Sequence, residues 1–252
     1  MAKPLFIEFS RTERIPILYE DRTVLALDKP RGWMLVPFTW QRTDRNLQAA
    51  ITSSIAAGDY WARARNIKYL RHIHRFDADT TGILLFAKSQ GALGAFSDLF
   101  ETRRMEKCYL AVVQGVPKEK EWSCRLPLAP DPNEVGRMKT DASGKPAETS
   151  FRVLQTSPGA SPRTLIEARP ITGRTHQIRV HLAVSALPVV GDPLYGLDRG
   201  QRPARVDPVN PFPLGLRAVE LVFTNPFTRC RVCIQAPAEE FLRRFGFSQT
   251  GH

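Results

Sequence analysis

The segment RHIHRFDADTTGILLFAKS, residues 71–89, holds the densest group of side chains that could do chemistry. Its polar part, 75–82, contains two aspartates and lies between two apolar runs, 69–74 and 83–87, whose composition predicts strands. Catalytic and binding groups are often carried on such a loop, because rigid strands fix its ends. Turn-forming residues alone would give a similar pattern. The two histidines and the arginine that directly precede the aspartates favour a functional loop.

Metal binding is the first chemistry to consider. Besides Asp77, the possible ligands are His72, His74, His176 and His181. The two loop histidines only superficially resemble a metallo-hydrolase motif, because the carboxylate comes one residue late and no histidine follows it. Arginines in both segments would also repel a cation. We therefore expect no metal.

Carboxylate chemistry is the second possibility. Asp77 and Asp79 are two positions apart, which is about 7 Å in an extended chain. Glycosidases pair carboxylates across a similar gap, but usually from separate elements. We therefore interpret Asp79 as a turn residue that caps backbone N–H groups. The remaining option is one carboxylate held by an arginine: a guanidinium such as Arg174 would keep Asp77 ionised, ready as a nucleophile or a base.

Charge indicates the kind of partner. The 252 residues are enough for a hydrophobic core, and 42% hydrophobic and 24% charged residues are ordinary globular values. The formal net charge of +11 is unusual and favours a polyanionic partner, either nucleic acid or an acidic membrane surface. The stretch YWARARNIKYLR, 60–71, interleaves aromatic residues with bases such as Arg63 and Arg65, as looped RNA requires. A solvated basic face with Trp61 in the core explains it equally well.

The cysteines and the chain start indicate the compartment. Cys230 and Cys233 form a CxxC, but on a predicted strand positions three apart face opposite sides, which disfavours a shared zinc ion. Buried free thiols in a reducing compartment are expected. The first residues lack the apolar core of a signal peptide, and no stretch is long and apolar enough to span a membrane. We predict a soluble, cytoplasmic protein without a membrane partner.

The hydrophobic pattern predicts the elements that position these residues. Strands are predicted at 15–20, 23–28, 107–115, 148–155, 164–168, 216–224 and 229–236, with helices at 47–57, 90–102 and 238–245. The polar segment 117–145 predicts a hairpin or an excursion. A second motif, ITGRTHQIRVHL at 171–182, predicts a helix that opens at Thr172-Gly173 and carries Arg174, His176, Arg179 and His181. We interpret Arg179 as a possible phosphate ligand.

These elements predict one α/β (α+β) domain over residues 1–252, with its core at about 15–245. The sheet is expected to be mixed and mostly antiparallel, with flanking helices. The sequence contains no internal repeat, and no linker is long enough to separate two domains.

Five blocks in order resemble the RluA-type pseudouridine synthases. They are HRFDADTTGILLFAK at 74–88, KCYLAVVQG at 107–115, ITGRTHQIRVHL at 171–182, GDPLYG at 191–196 and LRAVELVFTNPFT at 216–228. DKPRGWMLVP, at 28–37, looks like the KPxG segment of that family. One such block would be weak, but five in order at plausible spacing are specific. The resemblance covers roughly residues 15–245.

The resemblance implies a pseudouridine-synthase catalytic domain that isomerises uridine to pseudouridine in structured RNA without a cofactor. Asp77 corresponds to the catalytic aspartate, which would attack the ribose, attack the uracil or take the 2′ proton. Tyr109 corresponds to the tyrosine that stacks on the target base and could assist proton removal. Arg174 would pair with Asp77, Arg75 would fill the space of the flipped-out uridine, and Ile178 would line the uracil pocket. Further candidates for substrate binding are Thr81, His176, Arg63 and Arg65.

The chain departs from the family pattern at several positions. Phe76, Thr81, Arg217 and Asn225 stand where relatives carry Leu, Ser, His and His. Many relatives also have an N-terminal alpha-L RNA-binding domain, for which too few residues precede the catalytic domain here. We therefore expect the catalytic domain's own basic segments, such as 63–71 and 199–205, to hold the RNA.

The partner is expected to be ribosomal or transfer RNA, and the sequence does not select between them. We expect a monomer. A non-catalytic RNA-binding or ribosome-assembly protein on the same fold is the alternative. The joint presence of Asp77, Tyr109 and Arg174 favours the enzyme, because a protein that only binds RNA has no need of all three.

Overall fold

The computed structural model describes most of the chain, namely residues 3–9, 13–35, 45–196 and 213–248. It falls into two compact units, Met1–Met105 with Glu220–Ala236 (unit 1) and Glu106–Val219 with Pro237–His252 (unit 2). The basic segment 199–205, predicted to hold RNA, lies outside the described residues. The prediction of a single domain stays a prediction.

Strands and short helices alternate along both units. In chain order the elements are β1 (Phe6–Glu8), β2 (Arg14–Glu20), β3 (Val24–Lys29), α1 (Leu47–Ala57), α2 (Tyr60–Arg63), β4 (Arg71–His72), β5 (Thr81–Ala87), α3 (Gln90–Glu101), β6 (Glu106–Gln114), β7 (Glu121–Cys124), β8 (Leu128–Pro130), β9 (Met138–Thr140), β10 (Thr149–Ser157), β11 (Arg163–Pro170), α4 (Gln177–Val184), β12 (Leu216–Thr224), β13 (Arg231–Gln235) and α5 (Glu239–Phe245).

Unit 1 is an antiparallel sheet with helices on both faces. β2 pairs with β1 and β3, and β5 pairs with β3 and with the short β4. Alternate residues of a strand point to opposite faces. Accordingly, Leu25 and Phe86 join the cluster under α1 and α2, whereas Ala26 and Leu85 pack with Phe96 of α3. Both faces are therefore buried, which explains why β3 and β5 are almost continuously apolar.

Helix ends in unit 1 follow the chain's own capping residues. The Asn46 side chain accepts a hydrogen bond from the Ala49 N–H at the start of α1, and the helix stops at Gly58, which has a φ of 71°. Ser89 caps α3 in the same way through the Ala92 N–H. Such caps satisfy N–H groups that have no partner inside the helix. The predicted bounds of α1 are confirmed, and those of α3 hold to one residue.

Unit 2 has its own antiparallel sheet, in the order β6-β11-β10-β7, and a β8–β9 hairpin. Ile178 and Leu182 of α4 pack in one cluster with Ala168 of β11. Leu242 and Phe245 of α5 pack in a second cluster with other strand residues. The predicted α/β fold with a mostly antiparallel sheet is confirmed. No helix among the described residues is long and apolar enough to cross a membrane.

The local structure differs from the predictions at several places. The strand predicted at 69–74 shortens to Arg71–His72. The helix predicted to open at Thr172 begins only at Gln177, because His176 has a φ of 55°, in the left-handed region, which ends a right-handed helix. The excursion at 117–145 contributes β7 to the main sheet of unit 2 as well as the hairpin.

The cysteines also differ from the prediction in part. Cys108 and Cys124 are buried and form no disulfide, as expected. Cys230 and Cys233 form no disulfide either but are exposed, so the prediction of burial is wrong for this pair. They lie at and just before β13, the last strand of unit 1, and alternation along β13 turns Cys233 towards solvent.

A buried ion pair joins α4 to the segment that follows it in unit 2. Arg179 donates from Nε and Nη2 to the two carboxylate oxygens of Asp192, both at 2.7 Å. The Asp192 side chain is 0% exposed. Burial acts to raise the pKa of Asp192, but the hydrogen bonds and charge of Arg179 outweigh it and hold this pKa below its ordinary value. Arg179 is therefore a structural residue, and its interpretation as a phosphate ligand is corrected.

Removing the Asp192 carboxylate should reveal how much free energy it costs to bury the Arg179 guanidinium. We expect Asp192→Ala to lower the free energy of unfolding by about 3–5 kcal/mol, because Arg179 would stay buried without a counter-charge. Urea denaturation followed by circular dichroism measures this. Glu8→Ala, which removes the exposed partner of Arg14, is the control and should cost less than about 1 kcal/mol. Similar losses in the two variants would contradict this account.

Candidate functional site

The loop that carries Asp77 is held by a buried lysine from the end of β3. Lys29 is 0% exposed. Its Nζ donates to the carbonyl oxygens of Ala78 at 2.7 Å, Thr80 at 2.8 Å and Pro30 at 3.2 Å. An ammonium group has three hydrogens to donate, so each has an acceptor. The two loop carbonyls are thereby fixed relative to the sheet of unit 1.

The ionisation of Lys29 depends on the same loop. Burial lowers the pKa of Lys29 to about 7, while the negative charges of Asp79 and Asp77 act in the opposite direction. The two loop carboxylates therefore stabilise the ammonium form, and that form is the one with a hydrogen for each of the three carbonyls. The lysine holds the loop, and the loop carboxylates favour the charged form of the lysine.

Two residues beyond Lys29 complete the attachment. Arg31 donates from Nε to Asp79 Oδ1 at 3.0 Å, and the Gly32 N–H donates to the Ala78 carbonyl at 2.9 Å. Gly32 has a φ of 81°, which favours glycine. We call Lys29, Arg31 and Gly32 the loop clamp. Asp79 was predicted to cap backbone N–H groups; the structure instead pairs it with an arginine 48 positions away in the chain.

From the sequence alone, no role is expected for the loop clamp. Its residues lie in the segment 28–37, which is matched only to the KPxG segment of the RluA-type family. The sequence did contain one indication that Lys29 has a structural role. A lysine at the end of a nearly continuous apolar strand must lie in the core or at its edge. A buried ammonium needs partners, and the polar loop 75–82 is rich in carbonyl and carboxylate oxygens.

The remaining loop residues divide between packing and exposure. His74 Nε2 accepts a hydrogen bond from the Leu85 N–H at 3.1 Å, and its ring stacks on Phe100 with centroids 4.7 Å apart. A nitrogen that accepts in this way carries no proton, so His74 belongs to the packing of unit 1. Arg75 is exposed, whereas Asp77 and Thr81 are half-buried.

The aromatic and basic stretch 60–71 serves mainly the fold. Trp61 is 2% exposed and donates from Nε1 to Ser54 Oγ at 2.7 Å. The Arg65 side chain is 3% exposed and pairs with Glu20 at 2.9 Å, and it also donates to the Pro4 carbonyl. Arg65 is therefore a structural residue of unit 1, and its predicted place on an RNA surface is corrected. Arg63 is exposed and stays a candidate.

In unit 2, the segment with Arg174 is organised by the side-chain amide of Gln177. Its Oε1 accepts from the Thr172 hydroxyl at 2.6 Å and from the Arg174 N–H at 2.9 Å. Its Nε2 donates to the Glu148 carbonyl at 2.9 Å and to Thr149 Oγ1 at 3.0 Å. All the hydrogen-bonding capacity of this amide is used. Gln177 thus fixes the backbone of Arg174, whose Nε donates to the Pro146 carbonyl at 3.0 Å.

The same network continues into the core of unit 2. Because Thr149 Oγ1 accepts from Gln177, its hydrogen is available to His181 Nδ1, 3.0 Å away. His181 Nε2 then donates to the Leu126 carbonyl at 3.0 Å. Burial lowers the pKa of His181, the Leu126 carbonyl acts in the opposite direction, and the net shift is downward. The network therefore requires a neutral histidine, and both of its ring nitrogens are hydrogen-bonded within the protein, so neither is available to a metal ion or a phosphate.

Tyr109 and Ile178 lie together in unit 2. Tyr109, on β6, is half-buried and packs against the cluster that includes Ile178 of α4. Two positions earlier on the same strand, Lys107 donates from Nζ to the Thr172 carbonyl at 3.0 Å. Burial lowers the pKa of Lys107 to about 8. The tyrosine ring and the isoleucine side chain thus lie in the unit in which a second, partly buried lysine binds the segment of Arg174.

His176 has a structural role in unit 2. Tyr195 OH accepts from the Met138 N–H at 2.9 Å, so its own hydrogen is available to His176 Nδ1 at 2.8 Å. His176 is buried. Within the described ranges, no three His, Cys, Asp or Glu residues are grouped so that they could hold a metal ion.

The predicted site residues divide between the two units. Unit 1 contains Arg63, Arg65, Arg75, Asp77 and Thr81, and unit 2 contains Tyr109, Arg174, His176 and Ile178. Tyr109 and Ile178 share a cluster, as a base pocket requires. The pairing of Asp77 with Arg174 joins residues of different units and stays a prediction.

Known proteins resemble this chain along most of its length. Ribosomal large subunit pseudouridine synthase C of Vibrio vulnificus is 37% identical over 232 residues, covering 90% of this chain and 67% of the relative. The protein of that name from Escherichia coli K12 is 34% identical over 230 residues, covering 90% and 68%. The solved structure of human RNA Pseudouridylate Synthase Domain Containing 1 matches with a TM-score of 0.69 and 27% identity, over 92% of this chain and 87% of that one.

A second human structure, RNA Pseudouridylate Synthase Domain Containing 4, shares the fold at 21% identity, with a TM-score of 0.68 over 90% of this chain and 92% of its own. The sequence profile of the family described as RNA pseudouridylate synthase matches residues 23–184, a span from the start of β3 through the Asp77 loop to the end of α4. Together with the long matches to pseudouridine synthases, this places the chain in the RNA pseudouridylate synthase family.

Proposed function

We propose that this pseudouridine synthase acts on ribosomal RNA of the large subunit and that Asp77 is its catalytic carboxylate. The ribosomal substrate is inferred from relatives at 34–37% identity whose names state it. The assignment of Asp77 rests on one observation above all, the loop clamp, which fixes the backbone on the C-terminal side of this aspartate through the Ala78 and Thr80 carbonyls.

The reaction explains why a fixed carboxylate is needed. Uridine becomes pseudouridine when the N1–C1′ bond breaks and a C5–C1′ bond forms; C5 loses its hydrogen as a proton and N1 gains one, without oxidation and without net hydrolysis. A single carboxylate that acts as nucleophile or base can serve such a reaction if it is held in position, because orientation contributes a large part of the rate. Asp77 is half-buried, on a loop held by a fully buried lysine.

The residues of unit 2 would bind the target nucleotide. We assign Tyr109 to stacking on the base and Ile178 to the wall of the uracil pocket, which their shared cluster supports. Arg174, whose backbone is held by Gln177, would pair with Asp77. Arg75 would occupy the space left by the flipped-out uridine. Flipping costs a few kcal/mol, which stacking and a basic surface can offset.

The rest of the proposal concerns the state of the enzyme. We propose a monomer that works in the cytoplasm without a cofactor. The net charge of +11 supports an RNA partner held largely through its phosphates.

Asp77→Asn should abolish turnover. We expect no tritium release from C5-labelled RNA, because the amide can neither attack carbon nor take a proton. RNA affinity should stay within about threefold, since most of it comes from phosphate contacts. Asp98→Asn, an exposed site on α3, is the control and should keep full activity. Turnover by Asp77→Asn would show that this mechanism is wrong.

The RNA class can be tested with the same assay. Unmodified ribosomal RNA of the large subunit should release tritium, whereas transfer RNA should release none. Both RNAs would be transcribed in vitro, so that every target uridine is still present. Release from transfer RNA alone would overturn the substrate proposal without affecting the enzyme class.

Lys29→Met should separate catalysis from binding. The variant removes the lysine hydrogen bonds to the Ala78 and Thr80 carbonyls of the Asp77 loop. We therefore expect kcat to fall by about 100-fold, as it does when a catalytic group is slightly misplaced, with KM nearly unchanged. Lys88→Met is a matched control: Lys88 is also largely buried and binds Glu20 and the Asp21 carbonyl in unit 1. It should lose stability but keep kcat. Equal kcat losses would refute the role of the clamp.

A further inference from the structure

An exposed five-residue turn of unit 1 has no part in the proposed reaction. It is Phe227–Arg231, with the sequence FTRCR; it forms most of the connection between β12 and β13 and ends on the first residue of β13. Phe227 is 53% exposed, and its ring centroid lies 6.3 Å from that of Phe96 on α3. Arg229 and Arg231 lie on either side of an exposed free thiol, Cys230. The turn thus presents one aromatic ring and two guanidinium groups together.

The turn is held rigidly. Asn225 is buried, and its Oδ1 accepts from the N–H groups of Phe227 at 2.9 Å and Thr228 at 3.2 Å. Arg229 has a φ of 61° and donates its N–H to the Asn225 carbonyl at 2.9 Å. An arginine in this backbone region is uncommon and needs such support. The exposed side chains therefore project from a fixed backbone.

The turn that joins β2 to β3 contributes another exposed arginine, Arg22. Asn225 Nδ2 donates to Asp21 Oδ2 at 2.9 Å, in the turn that joins β2 to β3. Asp21 Oδ1 accepts from the N–H groups of Thr23 and Val24 and from the Thr23 hydroxyl. Burial acts to raise the pKa of Asp21, but these hydrogen bonds outweigh it and lower the pKa. The carboxylate is turned inward to its donors, whereas its neighbour Arg22 is exposed.

We infer that Arg22, Phe227, Arg229 and Arg231 form a second RNA-binding surface, which we call the hairpin surface, for a single-stranded or looped part of the substrate outside the target nucleotide. Guanidinium groups around an exposed aromatic ring are suited to phosphates and to an unstacked base. A protein partner would require a much larger apolar area than one phenylalanine. The inference rests on the proposed function, since it assumes that the substrate is RNA.

The distance between the hairpin surface and the Asp77 loop determines how long an RNA must be to contact both. β3 runs from Val24, next to the Asp21 turn, to Lys29 of the loop clamp. From Val24 to Lys29 the strand advances by five residues, which is about 17 Å. At about 3.4 Å per nucleotide of a stacked strand, this corresponds to about five nucleotides. The hairpin surface would therefore contact RNA about five nucleotides from the target, beyond the reach of the Asp77 loop.

The main test is the affinity of a double variant, Arg22→Gln with Arg229→Asn. Asparagine tolerates the left-handed backbone at position 229. For large-subunit RNA fragments we expect Kd to rise about tenfold and the slope of log K against log salt to fall by about 2, one for each lost phosphate contact. At saturating RNA, kcat should be unchanged. Arg243→Gln with Arg244→Gln, two exposed arginines of α5, is the matched control and should leave both quantities near wild type.

Cys230 provides an independent measurement. In a Cys233→Ser background the other two cysteines are buried, so a maleimide should label Cys230. Bound RNA should slow this labelling at least about fivefold, and a fragment shortened to the target stem-loop, about three nucleotides on either side of the uridine, should not. Labelling that is equally fast with the long RNA, or equal affinity losses in the two double variants, would overturn the hairpin surface.

The two proposals fail in different ways. Absence of tritium release by the wild-type protein would contradict the proposed function, and Kd and labelling would still report RNA binding. Normal release with unchanged Kd in Arg22→Gln/Arg229→Asn would refute the hairpin surface alone. Unfolding midpoints measured in urea for all variants show that altered binding does not come from altered folding.

Discussion

The hydrogen bonds of the buried Lys29 ammonium group are the constraint on which the candidate site depends. A buried ammonium group is strongly unfavourable unless every hydrogen is bonded and opposite charge lies near. Here the acceptors are carbonyl oxygens, two of them from the Asp77 loop, and the nearby charges are those of Asp79 and Asp77. The loop can therefore move away only if it leaves a buried charge without partners. The position of the candidate carboxylate follows from the requirements of the lysine.

Buried charges elsewhere obey the same rule. Glu20 accepts from Arg65 and Lys88, and its pKa is lowered because these bonds outweigh the effect of its burial. Arg179 and Asp192 neutralise each other inside unit 2. The net charge of +11 is therefore not spread evenly over the surface: some basic residues serve the fold. RNA binding must depend on those that stay exposed, such as Arg22, Arg75 and Arg229.

Polar networks in which every group is hydrogen-bonded hold the candidate residues of unit 2. Gln177 joins the segment of Arg174 to Thr149 at the start of β10, and Thr149 is in turn hydrogen-bonded to a neutral His181. Such a network allows one arrangement, because any member turned the wrong way leaves a buried polar group unpaired. This explains how a segment outside any helix or strand can hold Arg174 in a fixed place.

The sequence by itself determined most of the longer elements, the family and the principal candidate residues. Apolar periodicity placed α1 at its observed bounds, because burial of one helix face depends only on local spacing. Asp77, Tyr109 and Arg174 were found from motifs that are contiguous in the chain. The tertiary structure alone decided which charged residues are buried and what they bind. Lys29 meets Ala78, and Arg65 meets Glu20, across 49 and 45 positions. Local spacing carries no information about such partners, because they are brought together only when separate strands pack.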